Sequence, residues 1–206
     1  MNKVVFLDKD GTLIENVPYN TDPGKIRFCP GVPEALRLLQ EYGYKLIVVS
    51  NQAGVAYGFF KEEDLRTVKN ALQERLAEYG VQLDGFYYCP HHIRGKVSRY
   101  ALNCTCRKPM PGMLIRGAVE HGADLSSSWM IGDILDDIEA GNCAGCKTVL
   151  IDNGNETEWV YSSARRKPHF LVKDMEEAAR CIISQAGNVK EGKRSVLYER
   201  PMQGYY

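Results

Sequence analysis

The stretch VVFLDKDGTLI, residues 4–14, is a short apolar segment that ends on two aspartates and a glycine. Its continuous apolar and β-branched character predicts a strand covered on both faces, as in a parallel sheet between helices. Asp8 and Asp10 close this strand two residues apart, so their charges repel each other unless a cation or a proton lies between them. The stretch therefore predicts a parallel sheet with a charged site at the carboxyl end of one strand.

Strands and helices alternate along the rest of the chain. Similar apolar runs predict further strands at residues 45–50, 85–88, 129–132 and 147–151. Apolar residues at helical spacing predict helices within residues 31–43, 62–79, 111–122, 136–143 and 174–186. This alternation predicts an α/β fold with a doubly wound parallel sheet, whose ligand site lies at the carboxyl ends of the strands.

The length of 206 residues is sufficient for one domain with a substantial core. We expect a single domain over residues 1–187, because no linker or internal repeat interrupts the alternating pattern. The segment 188–206 is polar and has no hydrophobic period, so we expect it to form a flexible tail.

The charge balance narrows the possible partners. The 26 basic residues equal the 26 acidic ones, which argues against a nucleic-acid or membrane-surface partner and favours a small-molecule substrate. No apolar run approaches the roughly 20 residues that span a bilayer, and no export signal is recognisable, so we expect a cytoplasmic protein. Seven cysteines are an odd number for a disulfide framework, which favours free or metal-bound thiols.

A third aspartate supports a cation at the first strand end. Asp133 follows the predicted strand 129–132 within the stretch GDILDD, so it is expected to converge with Asp8 on one Mg²⁺ ion. The alternative is that each aspartate merely caps a helix or a turn.

The same edge of the sheet offers groups that suit a phosphoryl group. Ser50 and Asn51 follow the second strand, and Arg107 and Lys108 precede the helix that begins near Pro111. A hydroxyl, an amide, a guanidinium and an ammonium can neutralise and orient phosphoryl oxygens. One carboxylate could then attack phosphorus while its neighbour acts as acid and base.

A loop between the third strand and the next helix carries a second group of metal-ligating residues. The spacing C-x-H followed by C-x-C gives the ligand set Cys89, His91, Cys104 and Cys106. Three thiolates and one imidazole suit tetrahedral Zn²⁺, and a full set of four protein ligands gives the ion a structural role as a brace for Arg107. His92 in place of His91, a Cys104–Cys106 disulfide and free thiols remain alternatives.

The ordered strand-end motifs resemble the haloacid dehalogenase superfamily over residues 4–151. DKDGTL is similar to its first motif, and Ser50, Lys108 and GDILDD are similar to its second, third and fourth. The resemblance implies that Asp8 is the nucleophile and that Asp10 is the general acid and base, which also binds Mg²⁺ through its backbone carbonyl. It further implies roles for Asp133 as the second metal carboxylate, for Ser50 and Lys108 as phosphoryl ligands, and for Asp137 as support from behind.

The spacing between the motifs leaves no room for a cap domain. Substrate selection is therefore expected to depend on three loops, at residues 15–22, 51–58 and 89–108.

Those loops resemble the histidinol-phosphatase-related group of the superfamily, which includes heptose-bisphosphate phosphatases. The resemblance rests on the Cys/His loop and on NQAGVAYG, residues 51–58. It favours His91 over His92 as the zinc ligand and implies removal of the 7-phosphate of a heptose 1,7-bisphosphate. It implies that substrate is bound by Asn16, Tyr19, Asn51, Gln52, Arg107 and Lys108. Ile134 is a departure, because these phosphatases usually carry a basic residue there.

Three other functions remain compatible with the sequence. A histidinol-phosphate phosphatase would share the motifs and the zinc loop. A polynucleotide 3′-phosphatase is possible for a site without a cap, although the neutral composition argues against it. A non-catalytic zinc-bearing binding module would need a decayed site, yet every motif residue is present. The absence of a coiled-coil pattern favours a monomer.

Overall fold

The structure, a computed structural model, describes residues 1–191. Six parallel strands form one sheet in the order β3-β2-β1-β4-β5-β6. The strands are β1 Lys3–Leu7, β2 Tyr44–Asn51, β3 Gly85–Cys89, β4 Trp129–Gly132, β5 Lys147–Ile151 and β6 Phe170–Val172. The strand order reverses direction between β1 and β4, which creates the crevice where doubly wound folds bind ligands. This order confirms the predicted fold class.

Residues 1–191 form six α-helices, five of them between strands and the last after β6. They are α1 Val32–Glu41, α2 Gly54–Tyr57, α3 Asp64–Ala77, α4 Gly112–His121, α5 Leu135–Ala144 and α6 Met175–Glu191. Short 3₁₀ helices lie at Pro23–Lys25, Ser98–Tyr100, Leu125–Ser127 and Ala164–Arg166. The described residues contain no cap domain, because the chain passes from β1 to β2 through a loop with one short 3₁₀ helix and α1, and from β2 to β3 through α2 and α3.

Both faces of the sheet are buried, which explains the unbroken apolar runs. Along β1, Val5 and Leu7 pack in one cluster with α1, α3 and α6, whereas Val4 and Phe6 pack in another with α4. All four residues of the predicted apolar stripe of α3 are buried: Val68, Leu72 and Leu76 in the first cluster, and Leu65 in a separate, smaller one.

The pairing register aligns the strand ends that carry the candidate site. Leu7 lies opposite Val48 of β2 and Ile131 of β4. Because parallel strands run in one direction, the polar residues that follow these three positions reach the same edge of the sheet.

Three features differ from the sequence-based expectations. Strand β6 was not predicted, because its three residues are too few to show a period. Helix α2 has only four residues and lies within the loop predicted at 51–58. Helix α6 continues to Glu191, beyond the predicted end at 186, since one interior glycine costs a helix only about 1 kcal/mol. The rest of the predicted tail, 192–206, lies outside the described residues.

Among residues 1–191, no helix is both long enough and apolar enough to cross a bilayer.

Candidate active site

Three aspartates, two at strand ends and one at the start of a helix, meet at the crevice. Asp8 follows β1, and its backbone N–H donates to the carbonyl of Ile131 at 3.0 Å, which ties the turn to β4. Asp133 follows β4, and Asp137 lies in the first turn of α5. One carboxylate oxygen of each of Asp8, Asp133 and Asp137 lies within 4.8 Å of the others. The structure thus brings Asp8 and Asp133 together as expected, and it places Asp137 in the same cluster.

Lys108 lies at the centre of these carboxylates. Its ammonium forms ion pairs with Asp8 and with Asp137, the latter at 2.6 Å, and it donates to the carbonyl of Val49 at 2.9 Å. The side chain of Lys108 is only 2% exposed. Its backbone is held by Asn51, whose side-chain amide accepts from the Lys108 N–H and donates to the Lys108 carbonyl, both at 3.0 Å. Asn51 therefore orients Lys108. It also lines the cleft beside Asp10.

The buried charges of this site do not balance without a cation. Burial raises the pKa of Asp8 to about 7, a net shift that Lys108 opposes and to which the neighbouring Asp137 contributes. Burial also raises the pKa of Asp133 and of Asp137 to about 6. Burial alone would lower the pKa of Lys108, but Asp137 and Asp8 raise it above its usual value. Three carboxylates facing one ammonium suit a hard divalent cation such as Mg²⁺.

Hydrogen bonds fix both oxygens of Asp133. The hydroxyl of Thr12 donates to its Oδ1 at 2.8 Å, and Nδ2 of Asn155 donates to its Oδ2 at 2.7 Å. Gly11 has a φ of +91°, and a Cβ atom there would lie 2.1 Å from Asp133 Oδ2, so only glycine fits. Asn153 holds this turn, because its Nδ2 donates to the Gly11 carbonyl at 2.6 Å.

These contacts add functional residues that sequence reasoning missed. Asn153 and Asn155 belong to the polar turn DNGN that follows β5. The strand-end rule that found Asp133 could have found them, because β5 pairs directly with β4.

Asp10 lies outside the three-aspartate cluster and faces a cleft. Its Oδ1 forms an ion pair with Lys9, and its Oδ2 accepts a hydrogen bond from Nε2 of Gln52 at 3.0 Å. The same Gln52 amide donates to the hydroxyl of Ser50 at 2.7 Å, so Gln52 joins the first and second motifs. Lys9 is a further residue that the sequence interpretation did not assign, although its side chain is only 2% exposed.

The cleft beside Asp10 has a volume of about 330 Å³. Residues from all three predicted substrate loops line it, including Asn16, Tyr19, Asn51, Gln52 and Arg107. Its remaining lining residues are Lys9, Asp10, Val17, Pro18, Asn20, Ala53 and Gly54. The structure therefore gathers the predicted substrate-binding residues in one place, except Lys108, which lies at the carboxylates.

Ile134, the departure from the family pattern, lies between the cluster and α5. Its backbone N–H approaches Oδ2 of Asp137 at 3.3 Å, which helps to orient that carboxylate. Its side chain supplies no charge to the site.

The Cys/His loop gathers its four predicted ligands. The sulfurs of Cys89, Cys104 and Cys106 lie 3.1–3.4 Å apart, and Nδ1 of His91 lies 3.4 Å from Cys106 and 3.7 Å from Cys89. A tetrahedral Zn²⁺ site requires separations of about 3.8 Å between sulfurs and about 3.5 Å between sulfur and nitrogen. The separations observed here come close to these values, so the donor set fits zinc.

The same geometry argues against two of the alternatives for this loop, the disulfide and His92. The Cys104–Cys106 separation of 3.2 Å is far from a disulfide bond of about 2.05 Å, and all seven cysteines are free. His92 points away from the cluster, because its Nδ1 lies 2.9 Å from the hydroxyl of Tyr57. Nη1 of Arg107 donates to the carbonyl of His91 at 3.4 Å. Because Arg107 also lines the cleft, the Cys/His loop contacts the cleft directly.

Comparisons with known proteins agree with this geometry. The HAD-hydrolase-like family model matches residues 105–178. A D-glycero-beta-D-manno-heptose-1,7-bisphosphate 7-phosphatase from Pasteurella multocida (strain Pm70) is 37% identical over 183 residues, which cover 88% of this chain and 97% of the relative. The chain belongs to this family of haloacid dehalogenase-type phosphatases.

Another member of the family, from Haemophilus influenzae, is 43% identical over 155 residues, which cover 75% of this chain and 84% of the relative. Among solved structures, a D,D-heptose 1,7-bisphosphate phosphatase from B. bronchiseptica, complexed with magnesium and phosphate, matches with a TM-score of 0.77. It is 26% identical, and the match covers 89% of this chain and 99% of that one. The family resemblance predicted from the motifs is confirmed.

Proposed function

We propose that this protein is a Mg²⁺-dependent phosphatase that removes the 7-phosphate of D-glycero-β-D-manno-heptose 1,7-bisphosphate, a step towards nucleotide-activated heptose for surface glycans. The observation that carries the proposal is the placement of Asp8 between Lys108 and Asp133, with Asp10 on the cleft beside it. The names of the family members support the heptose substrate and its β anomer.

Asp8 is the proposed nucleophile. Its carboxylate oxygen attacks the 7-phosphorus and forms an aspartyl-phosphate as the bond to the sugar oxygen breaks. Asp10 gives its proton to the departing sugar alkoxide. Asp10 then takes a proton from the water that attacks the aspartyl-phosphate, which releases phosphate and restores Asp8. Gln52 and Lys9 hold the Asp10 carboxylate at the cleft for both transfers.

Asp8, Asp133 and the backbone carbonyl of Asp10 are the proposed Mg²⁺ ligands. When bound, the ion offsets the charge of the transferring phosphoryl group and of the two carboxylates. The B. bronchiseptica structure, which is complexed with magnesium, supports Mg²⁺ as the ion. Lys108 neutralises charge on the phosphoryl group from the side opposite the ion. The hydroxyl of Ser50 orients one of the phosphoryl oxygens.

The cleft is the proposed site for the sugar and its second phosphate. Asn16, Tyr19 and Gln52 would contact the sugar hydroxyls and Arg107 the distal phosphate, because a guanidinium binds a phosphate through two parallel hydrogen bonds. Zn²⁺ on the Cys/His cluster is proposed to hold the loop that carries Arg107. We also infer that the enzyme is a monomer and that it acts in the cytoplasm, and the cytoplasmic location agrees with the absence of a disulfide bond among its seven cysteines.

A phosphate-release comparison tests the substrate. The purified protein with Mg²⁺ would be assayed on both anomers of heptose 1,7-bisphosphate, on histidinol phosphate and on fructose 1,6-bisphosphate. We expect the highest kcat/KM on the β anomer. A higher value on histidinol phosphate would replace the heptose assignment with the histidinol one, and no phosphate release from any substrate would favour a binding module.

A further inference from the structure

Helix α2 lies between the substrate loop at residues 15–22 and the zinc-bearing loop. It begins two residues after Gln52, and its first residue, Gly54, lines the cleft. On its other side, the carbonyl of Ala56 accepts the backbone N–H groups of Lys96 at 2.7 Å and Val97 at 2.9 Å. These bonds dock the zinc-bearing loop against α2.

The last residue of this helix, Tyr57, contacts both loops through its side chain. Its hydroxyl lies 2.9 Å from Nδ1 of His92, and the two rings lie 4.9 Å apart. On the opposite side its ring lies 5.6 Å from that of Phe59 and 6.2 Å, edge to face, from that of Tyr19. Tyr19 and Phe59 are themselves edge to face at 4.7 Å. These four residues form a continuous aromatic cluster.

Tyr19 needs this support. Its φ of +55° lies in the left-handed region, which costs a non-glycine residue about 1 kcal/mol or more. Its side chain is 51% exposed, so burial in the core does not hold it in place. The edge-to-face contacts with Phe59 and Tyr57 are the interactions that favour the observed orientation of Tyr19 in the cleft wall.

The other end of the cluster is held by the zinc-bearing loop. His92 directly follows His91, one of the four residues gathered at the zinc-type cluster. The backbone N–H of Arg94 donates to Nδ1 of His92 at 3.1 Å, and the backbone N–H of His92 donates to the carbonyl of Tyr100 at 3.1 Å, so the loop itself holds the ring that meets Tyr57.

We propose that Tyr57 is a positioning residue that joins the zinc-bearing loop to Tyr19 and so fixes the cleft wall against which the distal end of the substrate lies. The inference rests on the proposed function for its substrate. Tyr57 is not among the residues that line the cleft, so it acts through Tyr19 and not by touching the substrate. Its removal should therefore affect binding of the large substrate more than the chemistry at Asp8.

Two variants separate the contacts of Tyr57. Tyr57→Phe removes only the hydroxyl that meets His92, and Tyr57→Leu also removes the aromatic contacts with Tyr19 and Phe59. Tyr42→Phe, at a half-exposed tyrosine after α1, is the matched control. Each variant would be assayed on heptose 1,7-bisphosphate and on p-nitrophenyl phosphate, whose small aryl group does not need the distal wall.

We expect KM for heptose 1,7-bisphosphate to rise about threefold in Tyr57→Phe and about tenfold in Tyr57→Leu. The kcat values, the p-nitrophenyl phosphate kinetics and the zinc content should stay near those of the wild type and of Tyr42→Phe. An unchanged KM in Tyr57→Leu, or an equal loss of activity on both substrates, would overturn the proposal.

Amide hydrogen exchange of residues 15–22 gives a readout that needs no substrate. We expect faster exchange in Tyr57→Leu than in the wild type, with Tyr57→Phe between them, and unchanged exchange in all three would contradict the proposed contact. Failure of the wild-type protein to hydrolyse heptose 1,7-bisphosphate would instead count against the proposed function, so the two failures are distinguishable.

Discussion

The carboxylate cluster and the Cys/His cluster are built in opposite ways. Asp8 and Asp133 are 125 residues apart in the chain, and the sheet brings them together at adjacent strand ends. The four Cys/His ligands come from one segment, 89–106, which contains only one turn of 3₁₀ helix. In the first case the fold positions the proposed metal ligands, and in the second the proposed metal would hold the loop. Loss of each site should therefore have different consequences for folding and for activity.

The largest effect is expected from the nucleophile. Asp8→Asn should lower phosphate release by at least about 10⁴-fold, because the amide cannot form the aspartyl-phosphate. The sheet that carries Asp8 does not depend on its charge, so circular dichroism and thermal unfolding should resemble those of the wild type. Glu78→Gln, at an exposed position directly after α3, is the matched control. Near-normal turnover in Asp8→Asn would refute the mechanism.

Loss of the zinc cluster is expected to lower activity less than loss of Asp8, but also to loosen the loop around the cluster. Cys104→Ser should remove the bound zinc and lower kcat/KM on heptose 1,7-bisphosphate by about 100-fold, because a displaced Arg107 no longer meets the substrate. Hydrogen exchange should increase in residues 89–108 and change little in the sheet.

Cys143→Ser provides the control, since Cys143 lies in α5 outside the cluster. It should keep one zinc per chain and normal activity. Full activity in zinc-free Cys104→Ser would show that the loop does not need the metal to place Arg107.

Loss of one hydrogen bond to Asp133 is expected to have a third, weaker effect, on the affinity for Mg²⁺. Asn155→Ala removes the donor 2.7 Å from Asp133 Oδ2. We expect the Mg²⁺ affinity, measured by calorimetry, to fall about tenfold, with kcat at saturating Mg²⁺ close to normal, because Asn155 orients a ligand and does not bind the metal. Asn70→Ala, at an exposed position of α3, should leave both values unchanged. An unaltered Mg²⁺ affinity in Asn155→Ala would remove Asn155 from the site.

The contrast between the two clusters also explains what the sequence could predict. Strand-end aspartates and the Cys/His spacing are local signals, so the sequence could predict the fold class, the meeting of Asp8 with Asp133, and the clustering of the four Cys/His residues. The same strand-end rule could have placed Asn155 at this edge, but not its hydrogen bond to Asp133, and nothing in the sequence indicated the ion pair of Lys9 with Asp10, because these contacts depend on how a turn folds over the first motif and on one side-chain orientation. Helix α2 was missed because four residues show no period, and with it the contact between Tyr57 and His92.

A pH experiment sharpens the comparison at the carboxylate cluster. Burial raises the pKa of Asp8 to about 7 and that of Asp133 to about 6, from an ordinary value of 3.8. Without Mg²⁺ the folded chain therefore binds more protons than the unfolded chain between about pH 4 and pH 7, so these groups make the stability fall as pH rises through that window. Mg²⁺ binds the ionised carboxylates and offsets this loss.

The increase in Tm on adding Mg²⁺ should consequently be larger at about pH 8 than at about pH 5, where the carboxylates hold protons. Differential scanning calorimetry with the zinc content checked at both pH values would measure it. In Asp133→Asn the increase should be small at both pH values, because one metal carboxylate is gone. An equal or larger Mg²⁺ effect at the lower pH in the wild type would mean that the buried aspartates are not the groups that bind the ion.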